Sequence, residues 1–431
     1  MKKRVILALI LMFATAFPIG CYDAREPDDL AYVVALGLDK GRTNKLRMTF
    51  QLAVAKNIGG GGQGGGGGGG EEPISVISVE APSIYSALNM VNTYLSRQIT
   101  LSHAKVLVFS EELAREGIDL YLNAIARGRE FRPNMYMAVS RGTAEDYFRN
   151  VKPQLEVNPA KYYELTYRGY LFTAFNPGTV LHEFYTQMKS LGGEPTATLV
   201  AVSRFKSSSD FDLKGSTYKE KGYEHPFEGN FLAGEVTKTG GVKAELMGTA
   251  VFAGGKMVGK LDGEDTTFHL MTNGDFSTSY VTIPDPKEKE KVVVLDIKQS
   301  RRPEHRVTME EDAPRIYNKL ILEADILSVQ SGVNYEDVNN IEILEKAAED
   351  FIKKGTVRYL EKTRDEFKAD ICAFGEHMRS KFLTWKEWEN FMWSEHYPDA
   401  AFDVEVDLKI RRPGLILYTS PATGSMEGED K

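Results

Sequence analysis

The chain has 431 residues, with 53 Lys and Arg against 61 Asp and Glu, and a formal charge of −8. Residues 1–20 hold three cations and no acid, so removing them takes the charge from −8 to −11. That balance argues against a nucleic-acid-binding role, which wants a basic face, and offers no polybasic stripe to anionic lipid headgroups. The two cysteines, Cys21 and Cys372, give no obvious disulfide framework, so a chain of this length must be held by its hydrophobic core.

Lys2, Lys3 and Arg4 precede an apolar run from Val5 to Phe17, closed by Pro18-Ile19-Gly20. These are the charged and apolar regions of an export signal, and the run is shorter than the roughly 20 residues a membrane span needs. Two cleavage readings compete. Ala14-Thr15-Ala16 has the small-x-small form that releases a soluble protein. Ile19-Gly20-Cys21 resembles the end of a bacterial lipobox, in which the cysteine sulfur receives a diacylglycerol, although Pro18 stands where Leu is usual. The second reading is favoured, because a lone cysteine just after a small residue at the close of an apolar run rarely arises by chance. Two or more acyl chains then give stable attachment at ~0.8 kcal/mol per buried CH₂.

Beyond the leader, residues 31–38 read as a buried strand, and Leu46, Met48, Phe50, Leu52 and Val54 alternate with polar residues as a half-buried one. The block 59–70 is glycine broken once by Gln63, a flexible loop whose insertion costs little closure entropy. It contains G-x-G-x-x-G trivially, without the following helix a dinucleotide site requires. A strand at 74–79, a helix capped by Ser83, a strand at 106–109, a helix over 111–127, a strand at 135–139 and a helix from Thr143 follow. Residues 21–152 are thus expected to form an N-terminal mixed α/β domain.

Residues 153–192 read as helical, with Pro159 and Pro177 opening segments and Gly192-Gly193 closing the last. Strands dominate from 195 to 290, with turns at Thr239-Gly240-Gly241 and Gly254-Gly255 and an exposed loop at 285–291. The span 153–290 is therefore read as a helical connection with a β-rich middle domain. Residues 291–419 read as a C-terminal α/β domain. Its elements are strands at 292–296 and 320–327, a long helix from about 338, an aromatic helix opened by the capping box Thr384-Trp385-Lys386-Glu387, and an alternating strand over 402–410. Residues 420–431 are expected to be disordered. The fold class is α+β, three mixed α/β domains after a lipoprotein signal peptide at 1–20.

Motifs that carry chemistry are missing. The seven histidines (103, 182, 225, 269, 305, 377 and 396) form no H-E-x-x-H, and the chain has no C-x-x-C pair and no G-x-S-x-G. His103 reads as a structural histidine, and acidic pairs such as Asp28-Asp29 as solvated faces. Trp385, Trp388 and Met392 share a helical face and are read as core, with an exposed aromatic patch for a partner as the alternative, and Cys372 reads as a buried thiol. No catalytic, cofactor or metal residue is identified, and no enzyme activity is expected. Cys21 is the one modification site.

The order of several segments resembles one family. Cys21-Tyr22-Asp23-Ala24-Arg25-Glu26, followed by Ala35-Leu36-Gly37-Leu38-Asp39, is similar to the opening of the C-subunit lipoproteins of spore nutrient germinant receptors, the Ger(x)C family, with Tyr22 where Trp is usual. Leu101-Ser102-His103-Ala104-Lys105-Val106, Gly248–Phe252 with Met257–Leu261, Asp370–Gly375 and the close at Ile410-Arg411-Arg412-Pro413-Gly414 resemble further family segments. The resemblance implies acylation of Cys21 and a place on the outer face of the spore inner membrane. It also implies partnership with two polytopic membrane subunits in a complex that answers nutrients and starts germination. It implies no cofactor and no enzyme activity. A lipoprotein solute-binding component of an uptake transporter is the alternative, a class that expects two similar lobes about a hinged cleft.

Overall fold

The computed structural model describes residues 26–54, 73–203 and 227–414, with isolated positions 4, 6 and 221. The expected signal peptide, Cys21, the glycine block and the tail from 420 lie outside the described residues.

Nine strands form one sheet: β1 Leu30–Lys40, β2 Leu46–Ala53, β3 Ile74–Ala81, β4 Gln98–Thr100, β5 Val106–Ser110, β6 Tyr136–Ser140, β7 Thr196–Val202, β8 Ala244–Ala253 and β9 Lys256–Leu261, in the order β3-β2-β1-β5-β6-β7-β8-β9, with β4 alongside the start of β1. The centre β1-β5-β6-β7 is parallel and both flanks are antiparallel hairpins. A parallel centre must be covered on both faces, and two apolar layers do so. Leu36, Phe109 and Phe252 belong to one layer, and Val34, Val106, Tyr147 and Tyr163 to the other.

The helices between these strands obey local rules. Helix α1, Ile84–Val91, starts where the Ser83 hydroxyl accepts from the Ser86 amide at 3.2 Å. The helix expected over 111–127 is two, α2 Glu111–Glu116 and α3 Asp119–Arg127, because Gly117 takes φ +126° and ends the first. Helix α4, Ala144–Asn150, docks on the Gly37-Leu38-Asp39 end of β1. The buried Asp39 carboxylate accepts from the Ala144 and Glu145 amides at 2.7 and 3.1 Å, and a Cβ on Gly37 would lie 2.8 Å from that of Ala144. Helices α5, Pro159–Tyr167, and α6, Leu181–Met188, complete the crossover to β7.

The second sheet has four strands in the order β10-β11-β12-β13: β10 Thr278–Pro284, β11 Val292–Glu310, β12 Ala313–Val329 and β13 Ala401–Arg412. The expected strands at 292–296 and 320–327 are pieces of one long hairpin. β13 runs parallel to β12 and buries Val404, Val406, Leu408 and Ile410 on one face, as its alternation predicts. The loop at 285–291, expected to be exposed, begins with buried Asp285, whose carboxylate accepts from the Ser331 and Tyr335 hydroxyls at 2.6 Å each.

Two helices join the sheets. Helix α7, Gly263–Asn273, lies within a stretch expected to be β-rich, and every residue from Gly263 to Thr272 is buried. The Asp262 carboxylate accepts from the Asp265 amide at 2.9 Å and starts it, and Gly274 at φ +83° stops it. Helix α8, Val338–Lys362, crosses it at Gly355, where a Cβ would come within 2.2 Å of the Phe268 ring. The sheets thus divide the chain between β9 and β10: β7 pairs with β6, and β8 and β9 extend the same sheet.

The aromatic module splits. Trp388 is 1% exposed and Trp393 is buried, whereas Trp385 is 59% exposed and Met392 projects from the surface. Helices α9, Phe374–Arg379, and α10, Trp385–Phe391, therefore bury only part of the face expected as core. The Thr384 capping box is formed, with the Thr384 hydroxyl accepting from the Glu387 amide and the Glu387 carboxylate from the Thr384 amide, both at 3.2 Å. Trp388→Ala is expected to cost about 3–5 kcal/mol by leaving a cavity, Thr384→Ala about 1 kcal/mol, and Trp385→Ala within about 0.5 kcal/mol. Urea denaturation of the three variants checks this ranking, and equal costs for the two tryptophans would contradict the burial.

Candidate functional site

A cleft of about 590 Å³ opens where the two halves meet. From the first half it takes Glu194 just before β7, Thr196 at its start, Thr179, and Gln187 of α6. From the second it takes His269 and Asn273 of α7, Asp275, and the Ile371–Ala373 turn. Close backbone contact joins the two halves beside it. A Cβ on Gly193 would lie 2.7 Å from the Ala373 Cα, and one on Gly192 would lie 2.7 Å from the Glu376 nitrogen. The Gly192-Gly193 pair that ends the helical stretch is therefore a docking surface as well as a stop signal. The Glu194 amide donates to the Asp370 carbonyl at 2.7 Å across the same seam.

Asp370 holds the turn together. Its carboxylate accepts from the Cys372 amide at 3.2 Å, the Gly375 amide at 3.0 Å and the Trp393 indole N–H at 2.8 Å. Burial raises it to about 6 against these donors. Beside it, the Tyr359 hydroxyl lies 2.9 Å from the Cys372 sulfur and 3.0 Å from His269 Nδ1. Burial pushes the thiol upward and lowers His269 to about 4, so at neutral pH both are uncharged. A nucleophilic cysteine needs a depressed pKa and a direct base. Here sulfur and Nδ1 are 3.7 Å apart and both contact the Tyr359 hydroxyl, but burial raises the thiol instead of depressing it, so the trio is a packed polar cluster, as the buried-thiol reading of Cys372 expects.

The Glu194 carboxylate accepts from the Gly254 amide at 2.5 Å. Burial raises it to about 7 against that bond, and the charge of Asp370 adds to the rise. Among the described residues no Lys or Arg lines the cleft. A second charged cluster sits at the start of α7, where Lys221 Nζ lies 2.9, 2.7 and 3.0 Å from Asp262, Glu264 and Asp265. Arg358 and Lys362 of α8 pair with Glu264 and Asp265 at 2.8 and 3.3 Å, so this network ties α8 to the start of α7.

The residues singled out in sequence fall elsewhere. Cys21 lies outside the described residues. His103 is exposed, its ring edge-on to Tyr32 at 5.0 Å. His305 and His377 meet edge to face at 5.3 Å, and His396 stacks on Phe391 at 4.3 Å. Glu194, the His269 and Asp275 pair on and just after α7, and Asp370 come from three separated segments, and only the Gly-Gly break before Glu194 signals any of them locally. Among the described residues no group of three or more His, Cys, Asp or Glu side chains is disposed to hold a metal.

The raised Glu194 fixes a pH effect. A carboxyl whose folded pKa is about 7 against an ordinary 4.5 stabilises the fold below pH 4.5, and that contribution is lost as pH rises to about 7. Glutamine keeps the neutral form and can still accept from Gly254. Between pH 4.5 and 7.5 the wild-type chain is expected to lose about 1–3 kcal/mol more stability than Glu194→Gln. Urea midpoints of the two proteins across that window test this, and parallel profiles would refute it.

Two family models match the chain: the spore germination protein N-terminal domain over residues 23–202, and the spore germination B3/GerAC-like C-terminal domain over 247–414. Spore germination protein KC of Bacillus subtilis (strain 168) is 25% identical over 96% of this chain and 97% of its own. Spore germination protein GerQC of Bacillus cereus is 22% identical over 96% and 99%. The crystal structure of the GerBC protein aligns with a TM-score of 0.48 and 16% identity over 87% of this chain and 96% of that one. With both models matched in order and relatives aligned nearly end to end, the chain belongs to the Ger(x)C family of spore germination proteins.

Proposed function

We propose that this chain is a lipid-anchored, non-enzymatic subunit of a membrane receptor complex that answers nutrients and triggers spore germination. The observation that carries the reading is the family match, which runs from residue 23 to residue 202 and from 247 to 414. It supports partnership with two polytopic membrane subunits. The anchor is a diacylglyceryl group on Cys21, which stands two residues before the matched segment begins. Among the described residues no helix is long and apolar enough to cross a membrane. The acyl chains then hold the protein on the outer face of the spore inner membrane. The family's signature segments serve packing in this fold: Gly37 and Asp39 seat α4, and Asp370 to Gly375 form the seam. The transporter reading expects similar lobes, whereas these sheets have nine strands and four.

Cys21→Ala is expected to abolish palmitate labelling, to shift the protein from the membrane to the soluble fraction or leave the precursor uncleaved, and to slow nutrient-triggered germination. Fractionation, metabolic labelling and co-purification of the membrane subunits measure this. Full membrane retention without acylation would sink the anchor reading. Normal germination by a fully soluble variant would sink the receptor role.

A further inference from the structure

We infer that the cleft between the two halves is a binding site for a small organic amine. The inference does not depend on the anchor or on assembly. It stands on the cleft's size, the charges that line it and two unmatched polar atoms.

The volume of about 590 Å³ is that of a small-molecule site, and the position between two folding layers is where such sites form. Among the described residues three carboxylates line it, Glu194 in the wall and Glu183 and Asp275 toward the mouth, and no Lys or Arg does. Glu183 is engaged at one oxygen, which accepts from the Val180 amide at 3.1 Å. Arg168 and Arg302 lie outside the lining, near Tyr170 and Asp275. Glu194 uses one oxygen to accept from Gly254, and its other oxygen has no hydrogen-bond partner among the described residues. A half-buried carboxylate with an idle oxygen and no lining cation is matched by a ligand ammonium.

His269 is the second fixed point. Its ring is 3% exposed and lines the cleft, and Nδ1 is taken by Tyr359. Nε2 has no partner among the described residues, so the ring offers one oriented polar atom to the cavity. Tyr170, Phe184 and Leu270 supply apolar wall for a short carbon chain, with Asp275 at the mouth for a second polar end. A carboxylate- or phosphate-bearing molecule would meet three acids and no lining cation, and a neutral sugar brings no charge to Glu194.

Isothermal titration of the full chain, purified in detergent at pH 8, with putrescine as probe tests this. Saturable binding is expected, weakened about tenfold in Glu194→Gln and about threefold in Asp275→Asn. Asp275 is exposed, so its variant folds even if the other does not, and thermal melts confirm folding of both. The inference is overturned by no saturable heat up to about 10 mM putrescine. Equal affinity in both folded variants, which marks diffuse attraction to an acidic surface, also overturns it, as does tighter binding of alanine, phosphate or glucose than of putrescine.

Discussion

The turn that docks the second half on the first is organised by one buried carboxylate. Asp370 accepts from two amides of its own turn and from the Trp393 indole, while its carbonyl receives the Glu194 amide from the other half. A charge taken out of water is tolerated only when its lone pairs are filled, and three donors at 2.8–3.2 Å fill these. The same bonds hold Ala373 in a left-handed conformation at φ 54° and bring Gly375 against Gly192, leaving no room for a side chain on either. Turn, aromatic module and seam are one construction.

The seam also shows why the halves are not separate bodies. The C-terminal family segment begins at residue 247, within β8, yet β8 and β9 are the last two strands of the first sheet, with β9 at its edge. The polypeptide that builds the second sheet therefore first completes the first one. Helix α7 follows at once and is buried between β8 and the second sheet, with the Thr249 and Thr266 hydroxyls 2.9 Å apart. Folding of the second half is coupled to the edge of the first through that helix.

How much of this was legible in sequence depended on whether the signal was local. Ser83, the Thr384 capping box and the alternation from Phe402 to Ile410 carry their structure in adjacent residues, and each forms as expected. Helix α7 has its Asp262 cap and Gly274 stop in adjacent residues but no apolar periodicity between them, because it is buried all round while Gly-Glu-Asp-Thr-Thr is polar and of poor intrinsic helix propensity overall. Tertiary burial on both sides decides it. Trp385 was misjudged for the opposite reason: a helical spacing with Trp388 places the two near one face, but not how far the surface curves away. The family segments were visible as residues, while the cleft was not, since its polar groups meet only through the seam.

The place of β1 in the sheet has a mechanical consequence. Leu30 begins β1, which is hydrogen-bonded on one side to β2 from Val33 to Lys40 and on the other to β4 and β5. A pull on the N-terminal end of the chain is directed along this interior strand. It loads the flanking ladders lengthwise, so that many hydrogen bonds resist together, rather than opening them one pair at a time as tension on an edge strand would. A chain held by its N-terminal end is thus gripped in shear at the centre of its larger sheet.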